Sequence, residues 1–112
     1  MDEAQHAEYV EEIGDLRARL VKLEQDQADP TLVAEFTAEV RILEALLLAA
    51  IDLRDQIRER PELADLLGAR SFSATSFKDI YAFVYDCAIE LDLGDRDLAR
   101  AIEQTDFASL LG

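Results

Sequence analysis

The sequence predicts an all-α protein in which a long antiparallel helical hairpin packs with two to three shorter C-terminal helices as a helical bundle. Apolar residues recur at spacings of four and three through the first half of the chain, which is typical of packed helices. The 30 residues between Pro30 and Pro61 contain no helix breaker, and no segment alternates apolar and polar residues as a strand does. At 112 residues the chain is expected to form one domain, composed of the hairpin (1–60) and a group of short helices (61–112).

The first predicted helix runs from about Asp2 to Gln27. Its apolar residues form a seam of the coiled-coil type that is about two and a half heptads long. Because the rest of its surface is polar, this helix depends on docking against a neighbour for its stability. The seam residues are Tyr9, Ile13, Leu16, Leu20 and Leu23.

The second predicted helix, Thr31–Arg60, is the element around which the rest of the chain is organised. Asp29 supplies a capping oxygen, and Pro30 fits the first helical position, where no amide partner is needed. The short connection makes the two long helices antiparallel neighbours. One apolar stripe is expected to face the first helix, and a second apolar side must be covered by other helices or by another chain. The stripe is Phe36, Val40, Leu43, Leu47 and Ala50, and the surplus lies at Leu32, Ile42, Leu46, Leu48 and Leu53.

Shorter helices are predicted for the second half of the chain, and turn residues set their limits. Gly68 is placed to end the third helix with a left-handed cap. Ser76 and Asp79 have the spacing of a capping box in front of the fourth helix, and either Thr105 or Asp106 caps a final turn. The third helix is Glu62–Leu67, the fourth is 77–93 with Gly94 as its stop, and the fifth is Arg96–Gln104 with Asp95 as its cap.

The chain is strongly acidic, with 25 Asp and Glu against 11 Lys and Arg and a net charge of −14. This charge repels nucleic-acid phosphates and anionic membranes, so direct binding to either is not expected, and it favours basic partners. The acids concentrate in 1–29 and 79–112, each with a net charge of −6. The acidic amino terminus lacks the form of a signal peptide and the longest apolar run is seven residues, so a cytoplasmic location is expected.

No catalytic, cofactor-binding or metal-binding residues are predicted. The acidic segments 11–15 and 52–55 superficially resemble the paired motifs of all-α, magnesium-dependent nucleotide pyrophosphohydrolases. Magnesium requires several oxygens that converge, whereas these carboxylates lie off the faces along which the long helices meet. This enzyme class is therefore the least favoured alternative. His6 has no Cys or second His as a partner, and Cys87 lies on an apolar helix face among acids, so neither is expected to be reactive.

The segment 93–111 loosely follows the spacing of a helix-turn-helix. A DNA-binding motif of this kind needs a basic recognition helix, but no Lys or Arg follows Arg100, and Glu103 and Asp106 occupy that region. Direct DNA binding is therefore rejected. A folded protein of this charge can instead act as an acidic inhibitor, a DNA mimic that occupies the basic groove of a nucleic-acid-binding protein, and this is the second functional hypothesis.

The favoured hypothesis is a non-enzymatic protein–protein interaction module that acts as an adaptor, assembly factor or regulator. The surplus apolar surface of the second helix and the lack of a convergent catalytic set support it. Self-association into a homo-oligomer is expected for the same reason, a basic protein is the alternative partner, and no cofactor is expected. The interface candidates are Leu46, Leu48, Leu53, Phe72 and Tyr85.

Overall fold

The computed structural model describes residues 2–26, 29–91 and 97–111. These ranges contain six α-helices and no strand, which confirms the all-α class and the helical bundle. The helices are α1 (Asp2–Gln25), α2 (Pro30–Glu59), α3 (Glu62–Ala69), α4 (Phe77–Leu91), α5 (Leu98–Gln104) and α6 (Phe107–Leu111).

α2 is the central helix of the bundle, because each of the other five helices packs against it. Its apolar second half is buried mainly under α4 and α5, so most of the surplus that the sequence indicates is covered within one chain. This packing fixes the position of α2, and the exposed residues of α2 are held in place with it. The buried residues of α2 are Val40, Ala45, Leu46, Leu47, Ala50, Leu53 and Ile57.

Local sequence sets both ends of α2 within one residue of the predicted limits. The Asp29 carboxylate accepts a hydrogen bond from the Thr31 amide at 2.9 Å, and Pro30 occupies the first turn. At the other end, the Arg60 amide still donates to the Gln56 carbonyl at 2.8 Å. The helix stops there because a proline, Pro61, follows and has no amide hydrogen to donate.

α1 runs antiparallel to α2. Arg17 forms an ion pair with Glu44, whereas His6, near the start of α1, contacts Arg54, which lies farther along α2. Of the predicted seam only Ile13 is buried, because beyond it α2 alone covers the seam and leaves the following leucines half-buried. α1 ends at Gln25, and its predicted last residue, Gln27, lies outside the described residues.

The start of α4 is held by α1 through a side chain. The Gln5 amide oxygen accepts hydrogen bonds from the Lys78 amide at 2.8 Å and from the Ser76 hydroxyl at 3.3 Å. Ser76 Oγ accepts from the Asp79 amide at 3.4 Å, as the capping pattern predicts. The Asp79 carboxylate does not return to the Ser76 amide, because it accepts from the Ser73 amide at 2.9 Å.

The prediction that Gly68 ends α3 is wrong. α3 continues through Gly68 to Ala69, and the left-handed residue is Ser71, with φ of 69°. The Phe72 amide donates to the Leu67 carbonyl at 3.3 Å and the Ser71 amide to the Gly68 carbonyl at 3.0 Å, which is the bonding pattern of a Schellman motif. Phe72 then lies at the end of this turn, where its ring packs against α4. That packing accounts for the later end of the helix.

Aspartates cap the two last helices. Asp97 accepts from the Arg100 amide at 3.1 Å, so α5 begins at Leu98 rather than at Arg96. The predicted stop at Gly94 and cap at Asp95 lie outside the described residues. Of the two residues predicted as possible caps for α6, Asp106 is the cap, because its carboxylate accepts a hydrogen bond from the Ala108 amide at 3.2 Å. The Thr105 hydroxyl instead donates to the carbonyl of Ala101.

Candidate functional site

Three of the interface candidates lie on two different sides of α2. Leu46 and Leu53 are 2% and 1% exposed and belong to the core, so neither has surface to offer a partner. Leu48 is 63% exposed. Helix geometry explains this difference. Leu46 and Leu53 are seven residues apart and therefore share one side of the helix, whereas Leu46 and Leu48 are separated by about 200° around the helix axis. The surface predicted around all three leucines is therefore corrected to Leu48 and its own neighbours.

The two aromatic candidates also differ. Phe72 was expected to be exposed, but it is half-buried, with its ring edge-on to Phe83 at 5.9 Å between centroids. Its place in the core leaves little of the ring for a partner. Tyr85 on α4 is 49% exposed and lies beside Ile89, another exposed residue, over a groove of about 240 Å³ that Ile42 of α2 also lines.

Leu48 lies in the middle of a continuous apolar surface that crosses three parts of the bundle. Val10 and Ala7 of α1 line a first groove of about 380 Å³. Val10 also lines a second groove, of about 160 Å³, together with Leu48. Leu48 in turn lines a third groove, of about 260 Å³, with Ile102 of α5 and Phe107 of α6. We call this set of three joined grooves the Leu48 surface.

Carboxylates border the Leu48 surface along its whole length. Among the residues that the structure describes, the acids that line the three grooves are Glu11, Glu44, Asp52 and Glu103, and none of the lining residues is Lys or Arg. Glu44 is paired with Arg17, and Asp52 accepts a hydrogen bond from Gln56 at 2.7 Å. In the part of the chain that the structure describes, Glu11 and Glu103 at the two ends have no ion-pair partner.

His6 and Arg54 form a polar contact beside one end of this surface. Arg54 is only 11% exposed at its side chain, and it donates to Asp55 at 3.3 Å. Another of its nitrogens lies 3.2 Å from His6 Nδ1, and its guanidinium lies 5.6 Å from the centre of the Phe77 ring. His6 itself stacks on Phe77 at 5.5 Å. This contact fixes the start of α1 against α2 and α4, and no pattern in the sequence predicts that Arg54 is so nearly buried.

The acidic segments that resemble a pyrophosphohydrolase motif do not converge on a point. Within residues 2–26, 29–91 and 97–111, no three His, Cys, Asp or Glu side chains come together in a way that could hold a metal ion. Asp52 and Asp55 are exposed and are engaged by Gln56 and Arg54 on their own helix.

Cys87 is half-buried on α4. Burial raises the pKa of its thiol, and the nearby carboxylate of Glu90 raises the pKa further, while Arg70 lowers it and Asp86 raises it to a smaller extent. The thiol is therefore held in its protonated form, which is a poor nucleophile.

The protein is thus an all-α helical bundle with a continuous apolar surface bordered by carboxylates. Comparison with protein-family models, with curated protein sequences and with solved structures gives no match. Among the described helices, none combines the length and the apolarity that crossing a bilayer requires.

Only Leu48 belongs both to this surface and to the interface candidates predicted from the sequence. Val10 lies next to the seam residue Tyr9 and outside the seam, so the heptad pattern assigns it to solvent. Ile102 and Phe107 are buried, and only the tertiary packing brings them beside α2.

Proposed function

We propose that the protein is a non-enzymatic interaction module, an adaptor, assembly factor or regulator, that binds a protein partner through the Leu48 surface. The observation that supports this proposal is the exposure of Leu48 on the central helix, next to the buried Leu47, in a surface that continues onto α1, α5 and α6. Extended apolar surfaces bordered by polar groups are typical of binding sites.

Energetics and rigidity favour this use of the surface. Covering an exposed leucine side chain contributes roughly 1.5–3 kcal/mol to association. Leu48 lies on the helix against which the five others pack, so its position is fixed before a partner arrives and little order has to be gained on binding.

The experiment that tests the proposal compares Leu48→Glu with Val21→Glu. Val21 is exposed on α1 and lines none of the three grooves, so its substitution adds the same charge elsewhere. Each tagged protein is used to capture partners from cells of the source organism, and each captured protein is then purified and titrated against all three forms. Binding that wild type and Val21→Glu share and Leu48→Glu loses supports the proposal. Binding that Leu48→Glu retains counts against this surface.

Self-association is a second form of the same function. Sedimentation velocity over a range of protein concentrations measures it directly. An oligomer that Leu48→Glu dissociates and Val21→Glu leaves intact would assign the Leu48 surface to contact between copies, and a monomer throughout would leave a different protein as the partner.

A further inference from the structure

We infer that the occupant of the Leu48 surface is an amphipathic helix with basic flanks, contributed by a different protein. This inference rests on the proposed function and adds the chemistry of the partner. Two features of the surface lead to it: the sign of the charges at its border and its extent across the bundle.

Carboxylates predominate at the border. Among the described residues, the ionised side chains that line the three grooves are the carboxylates of Glu11, Glu44, Asp52 and Glu103. Glu44 is already paired with Arg17, whereas Glu11 on α1 and Glu103 on α5, at the two ends, have no ion-pair partner within the described residues. A partner with Lys or Arg at both ends of its apolar stripe would place cations beside both carboxylates. The chain's net charge of −14 also attracts such a partner from a distance.

The extent of the surface suits a helix. It crosses from α1 over α2 to α5, which is two interaxial distances of about 8–10 Å each, or roughly 20 Å in total. A helix rises 1.5 Å per residue, so a segment of about 13 residues spans it. Three to four turns carry apolar side chains at spacings of three and four on one side, enough to place one in each of the three grooves.

A second copy of this chain is a poorer occupant. Pairing two Leu48 surfaces would place two carboxylate borders side by side, and each of the two chains carries a charge of −14, so the copies would repel each other. Salt separates the two cases, because screening strengthens the contact between like-charged copies and weakens the contact with a basic helix.

Three synthetic peptides of about 18 residues, long enough to cover the surface, provide the test. The first has leucines at helical spacing and lysine and arginine at the other positions. The second keeps the leucines and replaces the basic residues by glutamine. The third keeps the charge and scatters the leucines. Fluorescence anisotropy measures the affinity of each for wild type at about 50 and 500 mM salt, which spans weak and strong screening.

The first peptide is expected to bind wild type best and to lose affinity steeply at the higher salt. Leu48→Glu should weaken its binding about tenfold or more even though this variant adds a negative charge, and Val21→Glu should not weaken it. Leu48→Ala should weaken it as well, without any change in charge. Glu11→Gln combined with Glu103→Gln should also weaken it, whereas Glu35→Gln with Glu39→Gln, which removes equal charge from an exposed part of α2, should have little effect.

Several results would overturn the inference. Equal binding of the glutamine peptide would show that charge does not select the occupant, while the proposed function would stand. Equal binding of the scattered peptide would reduce the interaction to attraction by net charge. Failure of all three peptides to bind would also reject a basic helix as the occupant. The proposed function is judged separately, by whether captured partners depend on Leu48.

Discussion

Two regions of this molecule have the same apolar spacing and very different burial. In the first, the second half of α2 packs with α3, α4, α5 and α6, and nearly all of the fully buried side chains are found here. In the second, which we call the arm (residues 14–26 and 29–39), α1 and the start of α2 cover only each other, and none of these residues is buried. The arm gives the molecule a length of 50 Å and a radius of gyration of 15.5 Å, against about 13 Å for a compact chain of this size.

This difference shows that apolar residues at helical spacing do not by themselves bury a helix. Two helices in contact can each cover one side of the other, and the flanks of the shared seam stay open to water. In the core region α4 and α5 supply the third layer that closes those flanks. The following four predictions set the two regions against each other.

Phe77→Ala is expected to lower the free energy of unfolding by about 3–5 kcal/mol, because it removes a fully buried ring. Phe77 also holds the start of α1, since its ring lies 5.5 Å from His6 and 5.8 Å from Tyr9. Urea unfolding followed by circular dichroism measures the loss. A cost below about 1 kcal/mol would contradict the packing described here.

Leu20→Ala in the arm should lower the free energy of unfolding by only about 1–2 kcal/mol, because Leu20 is half-buried and its deletion leaves no enclosed cavity. The same urea titration makes the two substitutions directly comparable. If Leu20→Ala lowers the free energy of unfolding as much as Phe77→Ala does, the arm is covered in solution. Sedimentation of the wild type would then be expected to show an oligomer.

Alkaline pH should weaken the contact between the start of α1 and α4. Tyr9 and Tyr81 stack at 4.3 Å, and burial, with smaller contributions from Tyr9, Glu12 and Tyr85, raises the pKa of Tyr81 from 10.0 to about 12. Tyr81 therefore ionises first in the unfolded chain, so its contribution to stability is fully present below pH 10 and is lost between pH 10 and 12. The loss is about 1 kcal/mol, since water screens a half-buried hydroxyl.

Tyr81→Phe provides the control for this pH dependence. Unfolding midpoints of the variant should decline less between pH 10 and 12 than those of the wild type. A decline of equal steepness in both proteins would assign the effect to other groups.

Leu48→Glu should have the smallest effect on stability, within about 0.5 kcal/mol, because Leu48 is largely exposed. Its neighbour two residues away, Leu46, is buried, and Leu46→Glu should prevent folding because it would place a charge in the core. Thermal unfolding of both variants measures this contrast. If Leu48→Glu unfolds at a much lower temperature than the wild type, Leu48 belongs to the core region after all.

Much of the fold could be predicted from the sequence because it depends on local signals. The 4-3 spacing and the Asp29–Pro30 start place the two long helices to within about two residues. Where the prediction was wrong, tertiary packing outweighed the local signal: Gly68 stays helical because Phe72 packs against Phe83 and moves the turn to Ser71. Such a contact joins different elements and has no local pattern.

The candidate site was predicted only in part, for two separate reasons. The sequence indicated surplus apolar surface on α2, but Leu46, Leu48 and Leu53 were grouped without regard to phase, although the 200° between Leu46 and Leu48 follows from helix geometry alone. The contributions of Val10 and Ile102 could not be found in this way. They depend on which helices lie beside Leu48, and no spacing within one helix contains that information.

The hydrogen bonds of Gln5 to Ser76 and Lys78 have a consequence for how the protein is made. These partners lie 71 and 73 residues apart in the chain, so α1 leaves the ribosome well before the start of α4 that it caps exists. Until then the polar end of α1 has only water as its partner, and the exposed seam is open to chaperones. This contact of the first helix can therefore form only after residues 76–78 have been synthesised, and closing so long a loop is expected to slow folding.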